Sequence, residues 1–162
     1  MAKVIAICGK LCAGKSYYAN QLRKKEKAVI LSCDELSKQL FPQELGQKHE
    51  EMMSRIQRYL RKKAVELTMA GCDVILDWGF WTAESRQSIS AYFALYEIPV
   101  QWHYLQVDDE CWQQNIRERN DRILSGEAEQ DYFVDEGLLQ KFLGIWEAPT
   151  EEEFDVVYRV FR

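Results

Sequence analysis

Proline is scarce, at three residues in 162, and no Pro/Ser-rich linker, low-complexity tract or internal repeat breaks the chain. That absence argues against a string of modules and predicts one domain spanning 1–162, long enough to bury a substantial core. Long apolar runs are also missing: the longest are strand-sized, too short for a membrane-spanning helix. Met1-Ala2-Lys3 leads into strand residues instead of a signal-peptide core, so the expectation is a cytoplasmic protein with no membrane partner. The two histidines, His49 and His103, have neither metal-ligand spacing nor an identifiable Ser or Cys nucleophile partner, and are assigned to structure. The five cysteines form no C-x-x-C pair and read as reduced thiols. Positive charge is in deficit, 21 Lys and Arg against 26 Asp and Glu. A formal charge of -5 disfavours a duplex or long single strand as partner, because neutralising phosphates needs clustered cations. A small phosphorylated ligand remains compatible with it.

What the chain does carry is Gly9-Lys10-Leu11-Cys12-Ala13-Gly14-Lys15-Ser16, a complete G-x-x-x-x-G-K-[ST] phosphate loop directly after the apolar run Val4 to Cys8. Strand, glycine-rich turn and helix opening at Lys15 form the context in which backbone N–H groups cradle phosphate oxygens at a positive helix end. Lys15 is placed to neutralise the β and γ phosphates, and Ser16 to offer a hydroxyl to Mg²⁺, which prefers phosphate oxygens and water. The motif predicts a nucleoside triphosphate ligand. Oxidation of Cys12 would obstruct the loop, although a small residue filling a loop position accounts for it more simply.

Along the chain, Val4 to Cys8 reads as a first strand, Lys15 to Lys25 as a helix and Ala28 to Leu31 as a second strand. Met52, Ile56, Tyr59, Leu60 and Leu67 recur at helical spacing, giving a long helix from about Glu44 to Ala70. Val74 to Asp77, Val100 to Val107 and Asp155 to Phe161 read as further strands. Helices are expected over Ala83 to Tyr96 and from a cap at Asp108 or Asp109 toward Ile123. Such alternation predicts an α/β fold with a parallel sheet covered on both faces, whose ligands sit beyond the carboxyl ends of the strands.

That rule brings Asp34, after strand two, and Asp77, ending strand three, to the same edge as the loop. Phosphoryl transfer needs positioning, charge neutralisation and a carboxylate to take the acceptor proton. Asp34 is the candidate base, with a helix N-cap over Glu35 to Leu40 as its plainer reading. Asp77 has the place of a magnesium carboxylate acting through water, or of a simple strand-end turn residue. Arg117, Arg119 and Arg122 crowd one helix end, as phosphoryl clamps or as cations favoured by the helix dipole. Trp78, Phe80, Trp81 and Arg86 follow Asp77 as acceptor-side candidates or ordinary core. A basic stretch, Arg55 to Lys63, and an acidic one, Glu127 to Glu136, read as solvated surface before binding patch.

The combination resembles the small P-loop kinases grouped with polynucleotide kinase, chloramphenicol phosphotransferase, zeta toxin and gluconate kinase, over nearly the whole chain. Gly9 to Ser16 looks like their Walker A loop and Leu31-Ser32-Cys33-Asp34 like the segment bearing their general base. Val74 to Asp77 with Arg86, Arg119-Asn120-Asp121-Arg122, and Trp146-Glu147-Ala148-Pro149 are similar to their strand-three acid, lid arginines and adenine-side segment. The resemblance implies a three-layer fold with a five-stranded parallel sheet and a small helical lid at about 117–135. It also implies a nucleotide set extended by Tyr17, Arg119 and Pro149. Lys38 stands one step beyond the arginine with which phage-type polynucleotide kinase grips its acceptor phosphate, which implies a different acceptor.

The expectation is an ATP-dependent phosphotransferase to a hydroxyl of a small metabolite or antibiotic. Asp34 serves as base, Lys15, Arg119 and Arg122 stabilise the phosphoryl group, and Ser16 and Asp77 serve Mg²⁺. Lys38, Trp78 and Arg86 are assigned to the acceptor. The alternatives are a polynucleotide or nucleotide 5′-kinase and, in another class, an ATP-dependent regulatory protein with no acceptor.

Overall fold

The alternation of apolar runs and amphipathic stretches becomes a parallel α/β sheet in a computed structural model, which describes residues 1–41, 45–127 and 133–160. In chain order, β1 (Val4–Gly9), α1 (Lys15–Glu26), β2 (Val29–Leu31) and α2 (Cys33–Leu40) precede a 3₁₀ turn at Gly46–Lys48. Then follow α3 (His49–Met69), β3 (Val74–Gly79), α4 (Ala83–Ala94), β4 (Val100–Val107), α5 (Asp109–Leu124), α6 (Glu136–Ile145) and β5 (Val156–Val160). The strands lie in the order β2-β3-β1-β4-β5, and every pairing is parallel.

Alternation along β1 assigns the two faces. Val4, Ala6 and Cys8 pack with Ala64 and Val65 of α3 and with Ile89 and Phe93 of α4. Ile5 and Ile7 point the other way, onto Ala19 and Leu22 of α1. No residue of β1 has a charged side chain to solvate, so the strand is buried throughout and takes the sheet centre. A third cluster joins the loop residues Leu11, Cys12 and Ala13 to Trp112 and Ile116 of α5 and Phe142 of α6. Among the described residues no helix is long and apolar enough to cross a membrane.

Several boundaries move. β2 begins at Val29, and β3 continues past Asp77 to Gly79. Helix α2 starts at Cys33, because Ser32, in extended conformation, caps it by accepting from the Glu35 N–H at 3.2 Å. The capping role considered for Asp34 therefore belongs to Ser32, and Asp34 sits in the first turn. Helix α6 was not expected within the tail of the acidic stretch. Asp135 caps it, accepting from the Leu138 N–H at 2.8 Å, and Phe142 anchors it at 1% exposure. The expected helix start at Glu44, the lid residues 128–132 and Phe161 lie outside the described residues.

Candidate active site at the carboxyl edge of the sheet

The phosphate loop spans the end of β1 and the start of α1. A Cβ at Gly9 would stand 3.2 Å from the Leu105 carbonyl oxygen, so a side chain here would crowd β4 by a few tenths of an ångström. The loop turns through two left-handed residues, Cys12 at φ 58° and Gly14 at φ 96°. Its carbonyl groups are all engaged from Gly9 to Cys12. Lys15 Nζ donates to Gly9 O at 3.1 Å and to Lys10 O at 2.7 Å. The indole N–H of Trp112 donates to Leu11 O at 2.7 Å, and Asn115 Nδ2 donates to Cys12 O at 3.0 Å. No side chain caps the N-terminus of α1, which leaves its first-turn N–H groups and positive dipole end for an anion.

The acids arrive from neighbouring strands. Between Ala6 and Cys8 the register with β3 shifts, Ala6 facing Leu76 but Cys8 facing Gly79, so β3 holds an extra residue around Asp77 and Trp78. Bulges of this kind re-aim a side chain, and here the side chain is that of Asp77. Gly79, at φ 88°, keeps the way clear: a Cβ there would stand 3.4 Å from Cε of Lys15 and 2.8 Å from Nε1 of Trp81. Burial, then the charge of Asp34, raises the Asp77 pKa to about 6, against the opposing pull of Lys15 and a Ser32 hydrogen bond. Burial pushes Lys15 down to about 8, with Asp34 and Asp77 first among the charges resisting that fall. Lys15 at the start of α1, Asp34 in the first turn of α2 and Asp77 on β3 thus form one electrostatic cluster. Ser32, which sequence reasoning did not single out, ties the end of β2 to Asp77 while capping α2.

The remaining candidates divide. Ser16 and Tyr17 are exposed in the first turn of α1, Tyr17 at 72%. Lys38 is half-buried on α2, four residues after Asp34 and on its side of the helix. Trp78 stacks on Phe80 and donates its indole N–H to Leu31 O at 2.8 Å. Trp81 packs edge-on to Phe142, its indole N–H buried without a hydrogen-bond partner among the described residues. On α5, Arg119 stands four residues after Asn115 and so on the loop-facing stripe with Trp112, whereas Arg117 is exposed and bonded to Gln114. Arg122 is exposed near the end of the helix.

One expectation meets a different geometry. Arg86 is a buried structural clamp and not an acceptor-facing group. With its side chain 4% exposed, it donates to Glu153 Oε1 at 2.9 Å, Phe80 O at 2.8 Å and Glu147 O at 3.0 Å. The segment leading to Pro149 is held by the same contacts and by the Glu147 N–H donating to Trp81 O at 2.8 Å. Two buried thiols flank the site. Desolvation raises Cys8 to about 11 and raises Cys33 further, which leaves both protonated and unreactive.

Among the described residues no cluster of three or more His, Cys, Asp or Glu side chains forms a metal cage. The donor types at hand, the Ser16 hydroxyl and the Asp77 carboxylate, suit Mg²⁺, which takes few protein ligands beside phosphate and water.

A family model described as an AAA domain matches residues 4–144. No curated protein matches the chain by sequence. Among solved structures, a gluconokinase from Sinorhizobium meliloti 1021 aligns at TM-score 0.67 and 13% identity, over 99% of this chain and 83% of that one. The Mycobacterium tuberculosis APS kinase CysC, in complex with AMPPNP and APS, aligns at 0.68 and 18%, over 99% and 90%. Chaetomium thermophilum Kti12, in complex with ADP-AlF3, aligns at 0.70 and 16%, over 97% and 88%. At these identities the likeness establishes the fold, and the family match covers most of the chain. The chain belongs to the AAA domain family, as a small P-loop kinase-like domain.

Proposed function

We propose that this protein is an ATP-dependent phosphotransferase whose acceptor is a hydroxyl of a small molecule. The observation that carries the reading is the cluster of Lys15, Asp34 and Asp77 beside an uncapped helix N-terminus. Binding falls to the loop from Gly9 to Ser16, whose amides and the Lys15 ammonium take the phosphates. Ser16, and Asp77 through water, would hold Mg²⁺, which would supply charge neutralisation at the phosphates. Asp34, exposed on the first turn of α2, accepts the acceptor's hydroxyl proton as its oxygen bonds to the γ phosphorus and the bond to the β-phosphate oxygen breaks, releasing ADP. Arg119 and Arg122 steady the charge on the transferring group. Lys38 and Trp78 border the acceptor side.

The basic stretch of α3 gives a nucleic-acid acceptor little support. Arg55 pairs with Glu51, Lys63 pairs with Glu66, and Arg61 lies over the Tyr92 ring. The test is incubation with γ-labelled ATP and Mg²⁺ against nucleosides, sugars, hydroxylated antibiotics and a 5′-hydroxyl oligonucleotide, with Lys15→Ala as blank. Label on a small molecule is the expected result. Label on the oligonucleotide alone would replace this reading with a polynucleotide kinase.

A further inference from the structure

We infer that Trp112 and Asn115 of α5 are positioning residues for the phosphate loop. They hold the carbonyls of Leu11 and Cys12 away from the phosphates and fix the loop to the helix that carries Arg119. The inference rests on the nucleotide-binding reading above and adds a device to it. A loop that receives an anion must turn its amides inward and its carbonyl oxygens, which repel phosphate, outward. Of the four consecutive carbonyls from Gly9 to Cys12, Lys15 holds two and α5 holds the others, through Trp112 at 2.7 Å and Asn115 at 3.0 Å.

Two further observations bear on the clamp. Cys12 sits at φ 58°, a left-handed conformation that a side chain disfavours and that persists only where its surroundings over-determine it. Asn115 bonds that residue's carbonyl. Lys10 in turn lies 4.4 Å over the Trp112 ring and 3.9 Å from Asp109, so α5 grips the loop over three consecutive residues, Lys10, Leu11 and Cys12. Trp112 is 7% exposed and packs on Phe142, which makes the helix side of the clamp rigid. The stripe Trp112, Asn115, Arg119 runs at spacings of three and four, so loop and arginine share one helix face.

The test uses Trp112→Phe, which keeps a ring but loses the N–H, and Asn115→Ala, each read two ways. Amide hydrogen exchange over residues 9–14 of the unliganded protein reads the clamp without nucleotide, and calorimetric ADP affinity reads its use. Expected are faster loop exchange and a loss of affinity of about tenfold in each variant, as for one buried hydrogen bond of about 1.4 kcal/mol. Cys12→Gly added to Asn115→Ala should recover most of the affinity, because glycine adopts the left-handed conformation without help. A general loss of stability would not be rescued in that way. Unchanged loop exchange, or faster exchange with unchanged affinity, would overturn the clamp alone. Failure of the wild-type protein to bind ADP would instead overturn the nucleotide reading on which it rests.

Discussion

Charge at single residues sets the site's first testable property. The folded-state pKa of Asp77 is raised to about 6, so between its ordinary value and 6 the folded protein binds more protons than the unfolded chain. Stability must therefore fall as pH rises through that window. Asp77→Asn removes the buried charge and its repulsion by Asp34, but also a counter-charge of Lys15. The unliganded variant should gain about 1–2 kcal/mol at pH 7 and nothing below pH 4, checked by urea unfolding at both. Arg86 behaves oppositely. Replacing it by Met leaves the Glu153 carboxylate without its cation, the Glu147 carbonyl without its side-chain donor, and the Phe80 carbonyl with only the Cys8 thiol at 3.5 Å. We expect a loss of about 3–5 kcal/mol, roughly 10 °C in Tm by calorimetry. From sequence, Arg86 after a strand-end acid looked like a ligand group. Its partners Glu147 and Glu153 lie more than sixty positions along the chain, and no local pattern shows a pairing of that span.

At the scale of elements, β1, the phosphate loop and β4 were legible because their signals are local: an unbroken apolar run, a fixed glycine spacing, a run between turns. Helix α6 was not, since Gly137 and Gly144 lower its helix propensity and acidic residues precede it. The available signal was Asp135 followed by Leu138, Leu139 and Phe142 at helical spacing. Ser32 and Asp34, two residues apart, are both good caps for α2, and tertiary structure chooses Ser32 while binding it to Asp77. Ser32→Ala should cost about 1 kcal/mol through the cap. It should also raise the Asp77 pKa, by removing a hydrogen bond that favours the carboxylate, and NMR titration of that carboxyl reads the shift. The loop contacts of Trp112 and Asn115 were invisible to sequence reasoning for the reason that hid Arg86: each crosses about a hundred residues.

Over the whole molecule, the sheet order β2-β3-β1-β4-β5 gathers one chemistry at one edge. The loop follows the central strand, Asp34 follows the outer strand, and Asp77 comes from the strand between them. A ligand that bridges them binds only the folded chain, so ADP with Mg²⁺ at about a hundred times its Kd should stabilise the protein by about 2.7 kcal/mol. Thermal denaturation should show that gain in wild type and lose it in Lys15→Ala. The central claim is that Asp34 takes the acceptor proton, and it is tested most directly by comparing Asp34→Asn with wild type on an acceptor that the labelled-ATP panel returns. ATP affinity within about twofold of wild type and transfer slowed about a hundredfold or more is the predicted result. Unchanged transfer would contradict it and remove Asp34 from the chemistry.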